Sequence, residues 1–144
     1  MTDARPIVLV LFGATASGKT ETAIQLANAF QADIFSFDSR QFYAELNIGV
    51  ARPSIEELEA ANHHFIGHKF IEEPYSAGQF ARDCSQKLET YFAQNKIAIM
   101  VGGSGFFAQA VYEGLDEMPD IDPDLRARLN QHLAEKGLGS LTTL

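Results

Sequence analysis

The chain has 144 residues, 46% of them hydrophobic, and a formal net charge of −8. That length suits one domain with a sizeable core, and no apolar run approaches the ~20 residues that cross a bilayer. The acidic balance argues against a broad nucleic-acid surface, which needs clustered Lys and Arg.

Charge is unevenly spread, however. Asp116, Glu117, Asp120, Asp122 and Asp124 crowd one segment, so a local basic groove elsewhere stays open. The N-terminus, Met1 to Pro6, has no basic stretch followed by a long apolar one, which speaks against a secretory signal. The lone Cys84 cannot form an internal disulfide, which suits the cytoplasm. It falls within a helical pattern and reads as a half-buried small residue.

Ile7 to Phe12 is an apolar run of buried-strand length. Gly13-Ala14-Thr15-Ala16-Ser17-Gly18-Lys19-Thr20 follows it, and is G-x-x-x-x-G-K-T without a gap. Each part has a phosphate-binding reason. Gly13 and Gly18 let the backbone curl and turn its N–H groups inward. Lys19 can reach outer phosphates, and the Thr20 hydroxyl can ligate Mg²⁺. A helix follows, adding the positive end of its dipole. Ala23, Ile24, Leu26, Ala27 and Phe30 fall on one face of it.

Asp33 to Phe37 reads as a second short strand, ending in Asp38-Ser39-Arg40-Gln41. In open α/β sheets ligands bind at the carboxyl ends of strands. Asp38 there can ligate Mg²⁺ through water, act as a general base, or cap the next turn. Arg40 can clamp a phosphate, pair with Asp38, or lie solvated.

Pro53 to Ala61 reads as a short helix capped by Ser54, and His63 to Phe70 as a mixed apolar and histidine stretch. Adjacent His63 and His64 on a strand point to opposite faces, so joint ligation of one metal is awkward. Ser76 caps a long helix from about Ala77 to Gln94, with Phe80, Cys84, Leu88, Tyr91 and Phe92 on its apolar positions. Ile97 to Val101 is another buried-strand run. Gly102-Gly103-Ser104-Gly105 follows, then a helix from Phe106 to Tyr112. Ser104 can offer a hydroxyl to a phosphate or an amine, or cap that helix. Beyond Gly114 an acidic linker leads to a helix over Pro123 to Lys136. Gly137 and Gly139 flank a break, and Leu138 to Leu144 starts another helix. Alternating strands and helices predict an α/β fold of the P-loop NTPase type, a parallel sheet flanked by helices.

Taken in order, the phosphate loop, D-S-R-Q at Asp38, N-I-G-V-A-R-P from Asn47, H-H-F-I from His63, P-Y-S-A-G-Q-F from Pro74 and V-G-G-S-G-F-F from Val101 resemble the N-terminal half of a tRNA dimethylallyltransferase. The resemblance covers nearly the whole chain. It implies an incomplete P-loop α/β core over residues 1–115 and the start of a helical insertion domain over 116–144. It also implies transfer of a dimethylallyl group from its diphosphate to N6 of the adenosine 3′ of the anticodon in tRNA. The loop from Gly13 to Thr20 then holds the diphosphate rather than ATP, with Mg²⁺ on Thr20. Asp38 is implied as the base on the amine, and Thr15 and Ser104 as further catalytic groups. Ser39, Arg40, Gln41, Ser104 and, less closely matched, Arg126 are implied tRNA contacts. The implied protein is a cytoplasmic monomer whose partners are tRNA and dimethylallyl diphosphate, with no membrane.

The chain departs from the family pattern at Ala14, where proline is common, at Ser104, where threonine is usual, and at Phe106-Phe107, which replaces a Leu-Tyr pair. The family is also about twice this length, so a truncated form is expected. The other classes open to the motif are a P-loop kinase of nucleotides or small metabolites, an adenylate prenyltransferase, and a non-catalytic nucleotide-binding module.

Overall fold

Ile7–Phe12 forms strand β1 and, after the glycine loop, Lys19–Phe30 forms helix α1. Strand β2 (Ile34–Ser36), helix α2 (Ile55–Ala60) and strand β3 (His63–His64) follow. Helix α3 (Ala77–Phe92), strand β4 (Ile97–Gly102), helix α4 (Gly105–Tyr112) and helix α5 (Pro123–Lys136) complete the order, with a 3₁₀ turn at Leu138–Ser140. The computed structural model describes residues 5–116 and 121–142. Met1 to Ala4, Glu117 and Asp120 of the acidic segment, and the end of the expected last helix at Thr143 and Leu144 lie outside the described residues.

The four strands form one sheet in the order β1-β4-β2-β3. Every pairing is parallel, with Ile7 opposite Ile97, Ile34 opposite Ile99 and Ile34 opposite His63. Helices cover both faces, as the α/β reading expects.

The side-chain alternation of a strand sorts the core into two layers. On one face, Ala23 and Ala27 of α1 meet Ile34 and Ile99. Alanine at those two positions lets the helix sit close to the sheet. On the other face, Phe35 and Met100 pack with Phe80, Cys84 and Leu88 of α3 and Ala108 of α4. Phe35, Phe37, Phe42 and Phe80 are all fully buried, each contributing about 1.5–3 kcal/mol in transfer free energy.

Helix starts follow local chemistry. Ser54 and Ser76 each close a capping box, with Glu57 and Gln79 respectively. Such caps stabilise a helix by about 1 kcal/mol. Asp122 caps α5, whose first turn carries Pro123, a residue whose missing N–H costs nothing there.

Four expectations need correction. The run from Ile7 to Phe12 was expected to be a buried strand. β1 instead lies at the edge of the described sheet and pairs with β4, leaving Ile7, Val10 and Phe12 exposed. Phe30 is exposed too. It is the last residue of α1, where Gln31 turns left-handed at φ 51° and carries the chain away. Cys84 is fully rather than half buried, and burial pushes its thiol up to about 12. Leu138–Ser140 is a single 3₁₀ turn rather than the start of a longer helix among the described residues. Gly137, at φ 74°, ends α5 just before it.

Tyr91 joins the layers at the amino ends of the strands. Its hydroxyl donates to the Ile97 carbonyl at 2.9 Å and accepts from the Asp33 N–H at 2.9 Å. One phenol thus registers the start of β2 against the start of β4. Tyr91→Phe leaves both backbone groups without this partner and should cost about 1–2 kcal/mol. Thermal unfolding should then show a Tm lower by about 3–8 °C; an unchanged Tm would mean the bridge carries no stability.

Candidate functional site

The glycine loop between β1 and α1 is built from backbone conformation. Gly18 caps α1 in the left-handed region at φ 78°, which glycine adopts freely. Ala16 is also left-handed, at φ 62°, which for a non-glycine residue stores of order 1 kcal/mol or more. Gly13 is different: a Cβ there would make only ordinary contacts with Ser17 and Lys19. Within the protein alone, then, the demand for glycine falls on Gly18 and not on Gly13. Ser17 Oγ donates to the Ala14 carbonyl at 2.8 Å, and the Lys19 ammonium donates to the same oxygen. Lys19 therefore lies folded back along its own loop.

Thr15, Ala16, Ser17, Gly18, Lys19 and Thr20 line a cleft of about 300 Å³. That volume is at the lower end of small-ligand sites. Ser36, Asp38 and Gln41 form the facing wall, at the carboxyl end of β2. The phosphate loop and the acidic motif, some 20 positions apart along the chain, thus share one cavity. Gly13 and Ala14 belong to the loop but do not line it.

Asp38 is nearly buried, its side chain 11% exposed. Its Oδ1 accepts from the Arg40 N–H at 3.2 Å, and the Arg40 guanidinium lies 3.5 Å from the same oxygen. Asp38 therefore organises the turn that follows it, and Arg40 pairs with it while half exposed to solvent. The second oxygen, Oδ2, sits toward the other glycine loop, 3.9 Å from where a Cβ on Gly103 would be.

That second loop reaches Asp38 through a close contact. A Cβ on Gly102 would lie 2.6 Å from the Phe37 ring, 2.8 Å from the Phe37 carbonyl carbon and 2.9 Å from the Asp38 nitrogen. Two of those are backbone atoms, so nothing flexible can give way. Ser104 then accepts from the Ser39 N–H at 3.1 Å, and the two hydroxyls are 3.2 Å apart. Ser104 makes no side-chain cap bond to α4. Its hydroxyl holds the two loops together.

Ser104, Ser39 and Arg40 border Asp38 without lining the cleft, and Arg126 stands exposed on α5, also outside the lining. Sequence reasoning missed Glu21, Ser36, Ala51, Pro53, Glu57, His63 and Ile66, all of which line the cleft. Only Ser36 carried a signal, as the last residue of a strand leading into the site. Glu21 follows the glycine loop in the first turn of α1, and the others arrive by tertiary folding of the segment after Gln41.

The histidines split as strand geometry requires. His64 Nε2 meets Asp33 Oδ2 at 2.7 Å, and its ring lies 4.5 Å from Phe35. His63 faces the cleft, where Nδ1 donates to the Ala61 carbonyl at 2.8 Å. Burial pushes the His63 pKa down, partly opposed by that bond and by nearby Glu57. Among the described residues no group of three or more His, Cys, Asp or Glu can hold a metal ion. No helix among them is long and apolar enough to cross a membrane.

Comparison with known proteins adds an independent line. A family model described as IPP transferase matches residues 41–144, beginning just beyond Asp38. A tRNA dimethylallyltransferase of Christiangramia forsetii is 49% identical over 128 residues, 89% of this chain and 42% of that protein. One from Flavobacterium psychrophilum is 46% identical over 131 residues, 91% of this chain and 43% of that protein. Among solved structures, the full-length tRNA isopentenylpyrophosphate transferase of Bacillus halodurans superimposes with a TM-score of 0.75 at 28% identity. That match covers 95% of this chain and 46% of the other. The chain spans about two fifths of the length of the curated relatives it matches.

Gly102→Ala tests how the site is assembled. The added methyl meets backbone, so it should destabilise the fold by about 1–3 kcal/mol and displace the Asp38 turn. Thermal unfolding and the amide spectra of Asp38 and Ser39 measure the two effects. A variant with wild-type Tm and unshifted amides would show that the contact is not needed.

Proposed function

The chain belongs to the IPP transferase family, and on that premise we propose that it forms the donor-binding part of an enzyme that prenylates tRNA. The reaction moves a dimethylallyl group from its diphosphate to N6 of the adenosine 3′-adjacent to the anticodon. One observation carries this reading: the phosphate loop and Asp38 line the same cleft. A leaving group and a proton acceptor are both needed within reach of one reacting centre.

The chemistry follows from the parts. Backbone N–H groups of the loop from Thr15 to Thr20, which lines the cleft, and the amino end of α1 bind the diphosphate. Lys19 swings from the Ala14 carbonyl to the outer phosphate oxygens. As the allylic C–O bond breaks, its electron pair goes to diphosphate, and these donors stabilise the growing negative charge. The adenine nitrogen forms the new C–N bond, and its proton passes to Asp38. The target base leaves its stack to enter the cleft. Arg40 and the Ser39–Ser104 hydroxyl pair flank Asp38 and steady the carboxylate or meet the nucleotide. Thr15 lies on the diphosphate side. Arg126, on the distant helix, serves as a backbone contact to tRNA.

The Thr20 hydroxyl beside the glycine loop is an oxygen donor of the kind that suits Mg²⁺, which keeps its waters and binds through substrate phosphates. Thr20 would hold it. When bound, Mg²⁺ supplies charge neutralisation for the departing diphosphate. Residues 1–115 form the P-loop core, and 116–144 open a helical insertion. The enzyme works in the cytoplasm as a monomer.

Transfer of label from dimethylallyl diphosphate to an unmodified anticodon stem-loop tests the role of Asp38. In the full-length enzyme, Asp38→Ala should lower transfer by about 10²–10⁴ without weakening diphosphate binding, since the carboxylate donates nothing to phosphate. Near-normal turnover would remove Asp38 as the base. Movement of label from ATP instead would replace the prenyl reading with a kinase.

A further inference from the structure

We propose that Arg52 is a positioning residue, which sets the cleft wall at Ala51 and Pro53 by clamping two separate loops with one guanidinium. The proposal rests on the proposed function only in taking this cleft as the reacting site.

Ala51 and Pro53 line the cleft, as does Glu57 on the helix that follows, and Arg52 between them does not. Its side chain is spent on other parts of the chain. Nη1 donates to the Ala44 carbonyl at 3.1 Å and to Asn47 Oδ1 at 2.9 Å. A guanidinium can only donate, so the Asn47 amide must turn its oxygen toward it. Nη2 covers Gly67. A Cβ on Gly67 would collide with Nη2 and lie 3.0 Å from Cζ. Gly67 is also left-handed at φ 57°, so both the space and the backbone there call for glycine.

The two clamped loops are themselves zipped together. The Gly67 N–H donates to the Gln41 carbonyl at 2.8 Å, the Lys69 N–H to the Phe42 carbonyl at 2.9 Å, and the Ala44 N–H to the Lys69 carbonyl at 2.8 Å. Arg52 lies across this zip, bonded to Ala44 on one side and pressed on Gly67 of the other. The zip starts from the Asp38 turn, because the Gln41 N–H donates to the Asp38 carbonyl at 2.9 Å. Position is thus passed from the Asp38 turn, through the zip and the guanidinium, to the facing wall. Ala51 needs such support. It is left-handed at φ 47°, a conformation that an L residue keeps only where its surroundings hold it. Gln41 Nε2 holds its carbonyl at 2.8 Å, and Arg52 fixes the residue after it. A planar fork suits this task. A lysine ammonium can replace the bonds to Ala44 and Asn47 but cannot lie flat on Gly67.

The test joins nuclear magnetic resonance on the ¹⁵N-labelled chain to transfer assays on the full-length enzyme. Arg52→Met should shift the amides of Ala51 and Glu57 as well as those of Ala44, Asn47 and Gly67, while the core amides of Phe35 and Ile99 stay in place. Arg52→Lys should restore Ala44 and Asn47 and leave Gly67 displaced. Asn47→Ala should move the Ala51 amide, whereas Asn47→Asp, which keeps the accepting oxygen, should leave it in place. Gly67→Ala carries the same backbone strain with or without Arg52, so a double-mutant cycle isolates the contact. It should raise the unfolding equilibrium constant about three-fold or more beyond its effect in Arg52→Met. In transfer, Arg52→Met should lower kcat/KM about ten-fold or more, the scale of a misplaced wall, and Asn47→Asp should not. Unshifted Ala51 and Glu57 amides in Arg52→Met, equal effects of Gly67→Ala in the two backgrounds, or wild-type kcat/KM in Arg52→Met would each overturn the proposal. If Arg52→Met does not fold, the Asn47 variants decide, and an Ala51 amide unmoved by Asn47→Ala overturns it. A wild-type enzyme without transfer activity would count against the proposed function and leave the amide and cycle results to judge the clamp.

Discussion

The site depends on one steric condition: the end of β4 must press against the end of β2 with no side chain between them. At Gly102 there is room for a hydrogen and nothing larger. Because the contact is with the backbone of Phe37 and Asp38, it sets where the carboxylate sits relative to the sheet. The same approach brings Ser104 to Ser39. The parallel pairing of β4 with both β1 and β2 then puts the phosphate loop, the Asp38 turn and the second glycine loop at the same edge. Three separate stretches of sequence become one cavity because three strands end together.

The electrostatics of that cavity are mixed. Lys19 and the α1 amino end provide positive potential, while Asp38, Glu21 and Glu57 line the same cleft. A free polyanion meets repulsion from the carboxylates. A diphosphate partly neutralised by Mg²⁺ meets much less. Arg40 stands half exposed beside Asp38, a positive group next to that wall.

Much of this was legible in the sequence, for reasons that differ by element. β1 and β4 are continuous apolar runs of strand length, and α1 and α3 carry apolar residues at helical spacing. Ser54 and Ser76 announce helix starts through capping chemistry that is local to a few residues. The phosphate loop and Asp38 were readable because their chemistry demands particular residues at a particular spacing. What stayed hidden depends on contacts between distant residues. Nothing near Ala51 or His63 marks them as cleft walls, since their placement follows from Gln41 and from the pairing of β3 with β2. The exposure of β1 was likewise invisible, because an apolar run looks the same at a sheet's edge as at its centre. Gly13 inverts the problem: the motif marks it, yet its surroundings would accept a methyl, so any need for glycine there comes from the ligand's approach.

The most direct test is to titrate the chain with Mg²⁺ and inorganic diphosphate while following its backbone amides, with Lys19→Ala in parallel. A loop that holds the leaving group predicts shifts at Thr15 to Thr20 that saturate. Affinity should fall about ten-fold or more without the lysine, the scale of a charge-assisted hydrogen bond. Unchanged affinity in Lys19→Ala, or shifts that miss the loop, would contradict a diphosphate site between Gly18 and Asp38.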